Sequence, residues 1–208
     1  MSSMFLLAHS QKSFLDVIVK PNIAEGINLG LTPSNTRHIA PGATRAEHVS
    51  PRTFPELILG RRRLARSSLR RHAAHGGRGD VRFPWGDDEP DDTDFMPCNI
   101  WQGRFPQTNS WADGYAATAP AESFIPNDFG LYNMVGNVWE WTAENFRIRS
   151  LKKRVRDRLQ QMEGYRLAKG GSFLCHRSYC FRYRIAARIG ISPDSTAAHQ
   201  GIRVVWDI

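Results

Sequence analysis

Hydrophobic and polar positions follow no single period along the 208-residue chain. Between Phe14 and Val19 a short apolar run predicts a strand. From Ser34 to Gly79 neither a period of 2 nor one of 3.6 emerges. The run RRRLARSSLRRHAAHGGRG has few apolar anchors and reads as a solvated basic arm or loop. Beyond residue 80 the chain breaks into short elements separated by turn signals. FPWGDDEPDD is a turn-rich acidic loop, NIWQGRFP is an aromatic loop, and FIPNDFGLYNMVGNVWEWT alternates turn residues with large aromatics. Ile148, Leu151, Val155, Leu159 and Met162 recur at spacings of 3, 4, 4 and 3, with bases on the other faces. This predicts a helix over 148–162, placed on the surface. Period 2 predicts two half-buried strands. In one, Phe181, Tyr183 and Ile185 alternate with Arg182 and Arg184. In the other, Ile202, Val204, Trp206 and Ile208 alternate with Arg203, Val205 and Asp207. No βαβ alternation, glycine-rich phosphate loop or internal repeat appears.

Composition divides the chain in the same place. All six Trp, all five Tyr and all three Cys lie beyond residue 80, so the core belongs to the second part. The net charge of +8 points first to nucleic acid or a membrane. Two short runs, 61–79 and 147–158, contribute +7 and +6, so the rest of the chain is net acidic. Nucleic acid is therefore not expected as a partner. No apolar run approaches the roughly 20 residues of a membrane helix, so no membrane partner is expected. The opening MSSMFLLAHSQKSF is a poor signal peptide, which sets the expected location as cytoplasmic. Three cysteines make no disulfide framework.

The segment KGGSFLCHRSYCFRYR is the chemical centre. Cys175 and Cys180 are five apart, which suits neither one face of a strand nor one face of a helix. If their sulfurs meet, HRSY must bend between them. Such a pair can be a redox disulfide, half of a zinc site, a two-thiolate site for a soft ion such as Cu(I), or two unrelated buried thiols. His176 would have to turn back to join a zinc site, and Cys98 is remote in sequence. Gly170, Gly171 and Ser172 just upstream allow close backbone approach and place a small hydroxyl near the sulfurs.

NIWQGRFP, GLYNMVGNVWEW and KGGSFLCHRSYCFRYRIAAR, followed by SPDS and GIR and preceded by AAHGG and FPWG, resemble the formylglycine-generating enzyme family (sulfatase-modifying factors) in order and spacing. The likeness runs from about His72 to Ile208, interrupted around 147–164. It implies an α+β, C-type-lectin-like fold with little regular secondary structure, here truncated at its N-terminal side. The domain would span 72–208, with 1–71 unrecognised. The implied function is oxidation by O2 of a cysteine in a sulfatase polypeptide, within a CxPxR-like motif, to Cα-formylglycine. The family's active-site cysteines fall on Cys175 and Cys180, which would bind Cu(I). Ser172 and Trp139 would line the oxygen pocket. One structural calcium loop maps to Asn99 and Asp113 by side chain and to Ile100 and Tyr115 by carbonyl. A second maps to Asn133 and Glu140 by side chain and to Gly136 and Val138 by carbonyl. These are hard oxygen donors, as Ca2+ requires. The resemblance gives Cys98 no role, so it is expected to be a bystander thiol. By residue type alone Trp141 is expected in the core, and Arg182 and Arg184 are expected on a solvated strand face.

The chain also departs from the family. Of the motifs expected in the N-terminal half, only His48-Val49-Ser50 stands before PRTFPELILGRRRLARSSLRR, whose Arg/Ser/Leu-rich text suggests an out-of-frame translation of GC-rich DNA or plain divergence. Ile191 and His199 stand where the family commonly has asparagines near the substrate groove. The rival reading is therefore a catalytically inactive lectin-like fragment that acts as a binding module.

Overall fold

The structure is a computed structural model that describes residues 12–17, 63–147, 152–153, 155, 157 and 162–207. Its regular elements are β1 (Lys12–Val17), β2 (Arg63–Leu64), α1 (Ser67–His75), β3 (Trp139–Asn145), β4 (Arg166–Lys169), β5 (Ile189–Ile191) and β6 (Gln200–Asp207). One sheet runs β1-β6-β3-β4-β5, with β2 also paired to β6. β3 and β6 are parallel, with Trp139 opposite Gln200 and Trp141 opposite Ile202. The other pairings are antiparallel. Since β1 and β2 both meet Val204 and Val205, they must take opposite edges of β6. This makes β6 an interior strand.

The strand expected from Phe14 is present as β1. The expected final strand is present as β6, but burial does not alternate along its described side chains: Ile202, Arg203 and Val205 are buried and Val204 is half-buried. The strand expected over 181–185 does not form. Its alternation of burial is nevertheless real, with Tyr183 and Ile185 inside and Arg182 outside. The backbone there is diverted into local bonds. Arg182 N–H donates to the Cys180 carbonyl at 2.6 Å, and Ile185 N–H donates to the Arg82 carbonyl at 2.9 Å. No ladder partner is left for a strand. Of the helix expected over 148–162, Lys153, Val155 and Asp157 are helical, and most of the stretch lies outside the described residues. His48-Val49-Ser50 lies outside them as well. Among the described residues no helix is long and apolar enough to cross a membrane.

The basic run expected to be a solvated arm instead forms β2 and α1, docked at three points. Ser67 N–H and hydroxyl donate to the Glu144 carboxylate at 2.8–3.1 Å, satisfying donors at the start of α1. Arg70 Nε donates to Glu140 Oε2 at 2.6 Å. At the other end Gly76 takes the left-handed conformation of a helix stop, and Asn127 Nδ2 donates to the Ala73 carbonyl at 2.7 Å. The helix thus rests on β3 through two carboxylates, Glu140 and Glu144.

From Gly76 to Val138 the chain is almost entirely irregular, and side-chain amides replace ladders as its organisers. Asn137 Oδ1 accepts from Ala119 N–H at 2.9 Å and from Asn99 Nδ2 at 3.3 Å, while its Nδ2 donates to the Ala119 carbonyl at 3.1 Å. One buried residue therefore fastens three loops. Gly136, at φ 76°, must be glycine: a Cβ there would lie 2.5 Å from the Asn99 carbonyl oxygen. The core beneath is aromatic. Phe83 stacks on Trp85 and Tyr183 with centroids at 5.1 and 5.8 Å, and Trp139, Trp141, Met134 and Ile185 complete it. Trp141 is core, as expected, and Cys98 is buried with it.

Asn137→Ala orphans the Ala119 amide and carbonyl in a buried setting. The expected loss is about 2–6 kcal/mol at roughly 1–3 kcal/mol per orphaned group, read from urea unfolding. A change below about 0.5 kcal/mol, the range of a neutral surface substitution, would contradict the role of Asn137 as the fastener of these loops.

Candidate active site and cation loops

β4 ends at Lys169 and runs into Gly170 and Gly171, both at positive φ (99° and 78°). This turn is imposed by packing, because a Cβ on Gly171 would lie 2.9 Å from Tyr183 Cα. Ser172 follows, and its carbonyl accepts from Cys175 N–H at 2.9 Å. The next turn answers how a spacing of five brings two thiols together. The His176 carbonyl accepts from Tyr179 N–H at 3.0 Å and from Cys180 N–H at 2.8 Å, folding the chain back on itself. The sulfurs of Cys175 and Cys180 then lie 3.1 Å apart as free thiols.

Their environments differ. Cys175 is buried, and its thiol is pushed far up by its hydrogen bond to Cys180 and by burial, with backbone and side-chain hydrogen bonds from Ser172 opposing the rise. Cys180 is half-buried and is brought down to about 7. The Cys175 hydrogen bond is the main cause, burial works against it, and the Arg182 charge assists. Physically, the pair shares one proton: Cys175 keeps it and donates it to a Cys180 thiolate. A partly exposed thiolate near neutral pH is a good nucleophile and a good ligand for a soft ion.

His176 does not turn back toward the sulfurs. Its Nδ1 lies 2.7 Å from Ser178 Oγ and accepts from Ser178 N–H at 3.2 Å, so its proton sits on Nε2, which donates to Asp92 Oδ1 at 3.2 Å. With both nitrogens engaged, the zinc reading loses its third ligand. Among the described residues no group of three His, Cys, Asp or Glu side chains is placed to hold a metal. Ser172 is buried beside Cys175, and Trp139 is buried in the same cluster as Cys175. Arg182 is exposed as expected, whereas Arg184 stacks its guanidinium 4.6 Å over the Phe181 ring.

Two features of the site escaped sequence reasoning. Asp92 comes from the acidic loop, and nothing in its spacing marked it as the partner of His176. Beside the thiols, Tyr179 is 67% exposed and stacks on Phe105 at 4.1 Å, with Trp101 edge-on to Phe105 at 5.1 Å. The position of Tyr179 inside HRSY was the available signal.

The two expected calcium loops differ in fit. In the first, Asn99 Nδ2 donates to the Ala117 carbonyl at 2.8 Å, which fixes the amide and leaves Asn99 Oδ1 buried without a partner. Asp113 Oδ2 and the Ile100 carbonyl converge on one donor, Gln102 Nε2. Asp113 Oδ1 accepts from Tyr115 N–H at 2.9 Å. Burial raises the Asp113 carboxyl, and these hydrogen bonds counter it. An orphaned amide oxygen and two converging oxygens around a carboxylate fit a hard cation.

The second loop does not fit one with Glu140 as ligand. Asn133 Oδ1 is orphaned here too, but both Glu140 oxygens are taken by guanidinium groups. Arg70 binds at 2.6 Å and Arg203 at 2.9 Å, all three side chains being buried. Burial pushes the Glu140 carboxyl up and the Arg70 charge pulls it back.

Residues 57–208 match the sulfatase-modifying factor enzyme 1-like domain. The chain belongs to this family. The formylglycine-generating enzyme of Thermomonospora curvata is 48% identical over 140 residues, which are 65% of this chain and 46% of that protein. The enzyme of the same name from Mus musculus is 41% identical over 148 residues, 70% of this chain and 39% of that protein. A protein named inactive Cα-formylglycine-generating enzyme 2, from Bos taurus, is 35% identical over 136 residues, 63% of this chain and 39% of that protein. This chain spans less than half the length of each of these three relatives. Among solved structures, PvdO from Pseudomonas aeruginosa superposes with a TM-score of 0.55 at 21% identity, over 76% of this chain and 59% of that one. It shares the fold, a mixed sheet with few helices.

Because Cys175 stabilises the Cys180 thiolate, alkylation of Cys180 by iodoacetamide should rise with pH through a midpoint near the value of about 7. Cys175→Ala should move that midpoint up toward the ordinary thiol range of about 8.5. Mass spectrometry of the modified peptide reads both; an unmoved midpoint in Cys175→Ala would refute the shared proton.

Proposed function

We propose that this protein oxidises a cysteine of a sulfatase polypeptide, in a CxPxR-like motif, to Cα-formylglycine with O2. The observation that carries the reading is the pair of free thiols 3.1 Å apart, one of them held near neutral pKa, in a member of the sulfatase-modifying factor family. Two adjacent sulfurs with no hard ligand between them suit a soft monovalent ion, and Cys175 and Cys180 would hold Cu(I). When bound, Cu(I) supplies O2 activation and a soft position for the substrate thiolate.

The chain's own residues do the rest. Cys180 offers the first thiolate, while Cys175 keeps its proton until a cation displaces it. Ser172, buried against Cys175, presents a hydroxyl to the oxygen side of the site, and Trp139 keeps water from it. Tyr179 and Phe105 form an exposed aromatic shelf against which a substrate peptide can lie. Oxidation removes two hydrogens from the substrate Cβ–S unit, O2 taking the two electrons and two protons. Hydrolysis of the resulting thioaldehyde exchanges sulfur for oxygen and releases hydrogen sulfide. The first cation loop, with Asn99 and Asp113 by side chain and Ile100 and Tyr115 by carbonyl, would hold a structural Ca2+ that braces the loops behind the site.

The deciding experiment loads the reduced protein anaerobically with Cu(I), counts metal per chain, and then follows aldehyde formation on a CxPxR peptide under O2. Cys175→Ser and Cys180→Ser should each abolish stoichiometric copper, because a serine oxygen is a hard, poorly acidic ligand. Cys98→Ser should retain copper, and Ser172→Ala should retain copper while slowing aldehyde formation by about 100- to 1,000-fold, the scale of one lost hydrogen-bonding group at the reacting atoms. One-to-one copper in both cysteine variants would sink the two-thiolate site. Normal copper without aldehyde would leave a binding module in place of an enzyme.

For calcium, an ion bound only by the folded chain stabilises it by about 2.7 kcal/mol at one hundred times its dissociation constant. EDTA should therefore lower the Tm of the parent, and Asp113→Ala should remove most of that sensitivity. An unchanged Tm in EDTA would reject the first-loop assignment.

A further inference from the structure

The segment 132–134 and the Glu140 side chain gather five oxygens around two guanidinium groups. Arg203 Nη2 donates to the Tyr132 carbonyl at 2.8 Å, to the Asn133 carbonyl at 3.5 Å and to Glu140 Oε1 at 2.9 Å, and its Nε donates to both carboxylate oxygens at 3.1 Å. Arg70 Nη2 donates to the Met134 carbonyl at 2.9 Å, and its Nε donates to Glu140 Oε2 at 2.6 Å. Carbonyls and a carboxylate converging in this way are the donor set of a hard cation. Here the positive charge is covalently part of the protein.

We propose that Arg70 supplies the charge that a divalent cation would otherwise bring to this second loop, so that the chain binds calcium at its first loop alone. The count in the parent chain rests on the first-loop reading given above; the vacancy of the second loop for calcium does not.

Three observations carry the proposal. A carboxylate offers about four acceptor sites, and four guanidinium N–H contacts already reach Glu140. A calcium ion would have to displace one of them. The triad is already one charge positive, with one carboxylate between two arginines, and it is buried at 1%, 4% and 3% exposure for Arg70, Glu140 and Arg203. A further double charge would be repelled in a medium that screens poorly. Arg70 also has no route out: its Nη2 would lie 2.6 Å from a Cβ at Gly170, so it is packed against the start of the turn that leads to the thiols. By contrast, the first loop's donors to Asp113 and the Ile100 carbonyl are neutral amides of Gln102 and Tyr115.

Calcium binding to chelator-treated protein, followed by calorimetric titration and by metal analysis after dialysis at about 1 mM calcium, a concentration reached by weak structural sites, tests this directly. The parent should bind one ion per chain, which Asp113→Asn loses and Asn133→Ala keeps. Arg70→Met, close in length and uncharged, should gain one ion that the double variant with Asn133→Ala loses, while Arg70→Lys, which keeps a charge, should gain none. Two ions in the parent, or a single ion lost in Asn133→Ala, would overturn the proposal. So would a folded Arg70→Met with the count of the parent. A parent that binds none while Arg70→Met binds one would refute the first-loop reading and uphold this one. Should Arg70→Met fail to fold, the count in the parent and its response to Asn133→Ala decide the matter alone.

Discussion

The position of Glu140 constrains the rest of the domain. It lies on β3, the strand that runs parallel to β6, and it binds Arg70 from α1 and Arg203 from β6. Three elements far apart in sequence are joined at one buried carboxylate. Breaking such a pair by removing one partner leaves an uncompensated buried charge, at a cost of about 3–5 kcal/mol. Trp139 and Trp141 point to the opposite face of the same strand by the period of 2, and both are buried. β3 is therefore fixed from both sides, by ions on one and aromatics on the other. The loops before it and the strand after it inherit that position.

The thiol site is built outward from this frame. β4 pairs with β3 through Glu140 and Lys169, and the chain leaves β4 directly into Gly170 and Gly171. Arg70 packs against Gly170, and the Tyr183 backbone packs against Gly171. The turn that delivers Ser172 and Cys175 is held between the ion triad and the aromatic core. Two closely packed glycines allow what no residue with a Cβ would, and the short reverse turn at His176 completes the pair. The unequal acidity of the two sulfurs follows first from the hydrogen bond between them, which holds the proton on Cys175, and then from their settings: Cys175 is enclosed, while Cys180 is half-buried beside the Arg182 charge.

Large irregular regions need other organisers than hydrogen-bonded ladders. Asn99, Asn127 and Asn137 fill that role, each bonding backbone groups of distant loops. Their side chains carry a donor and an acceptor at fixed geometry, which lets one residue close two loops at once. The orphaned oxygens of Asn99 and Asn133 are the exceptions to this economy, and it is there that the two cation loops diverge: one surrounds neutral amides, the other guanidinium groups.

Much of this was legible in the sequence. The aromatic-rich second part announced the core, period 2 announced β6, and the motifs around Cys175 and Cys180 announced the family, because these depend on residue type and local spacing. Tertiary structure decided the rest. The alternation at 181–185 described burial correctly but not strand pairing, since its backbone was claimed by Cys180 and Arg82. Arg203 and Arg70 read as solvated charges, and only the meeting of β6, β3 and α1 placed both on one carboxylate. Pairing of buried charges is set by which distant elements meet, and no local period encodes it. The spacing of the cysteines allowed several chemistries; the turn at His176 brought the two sulfurs together, and the engagement of His176 with Asp92 took its imidazole out of reach as a further ligand, because a ligand's availability depends on what its other atom is bound to.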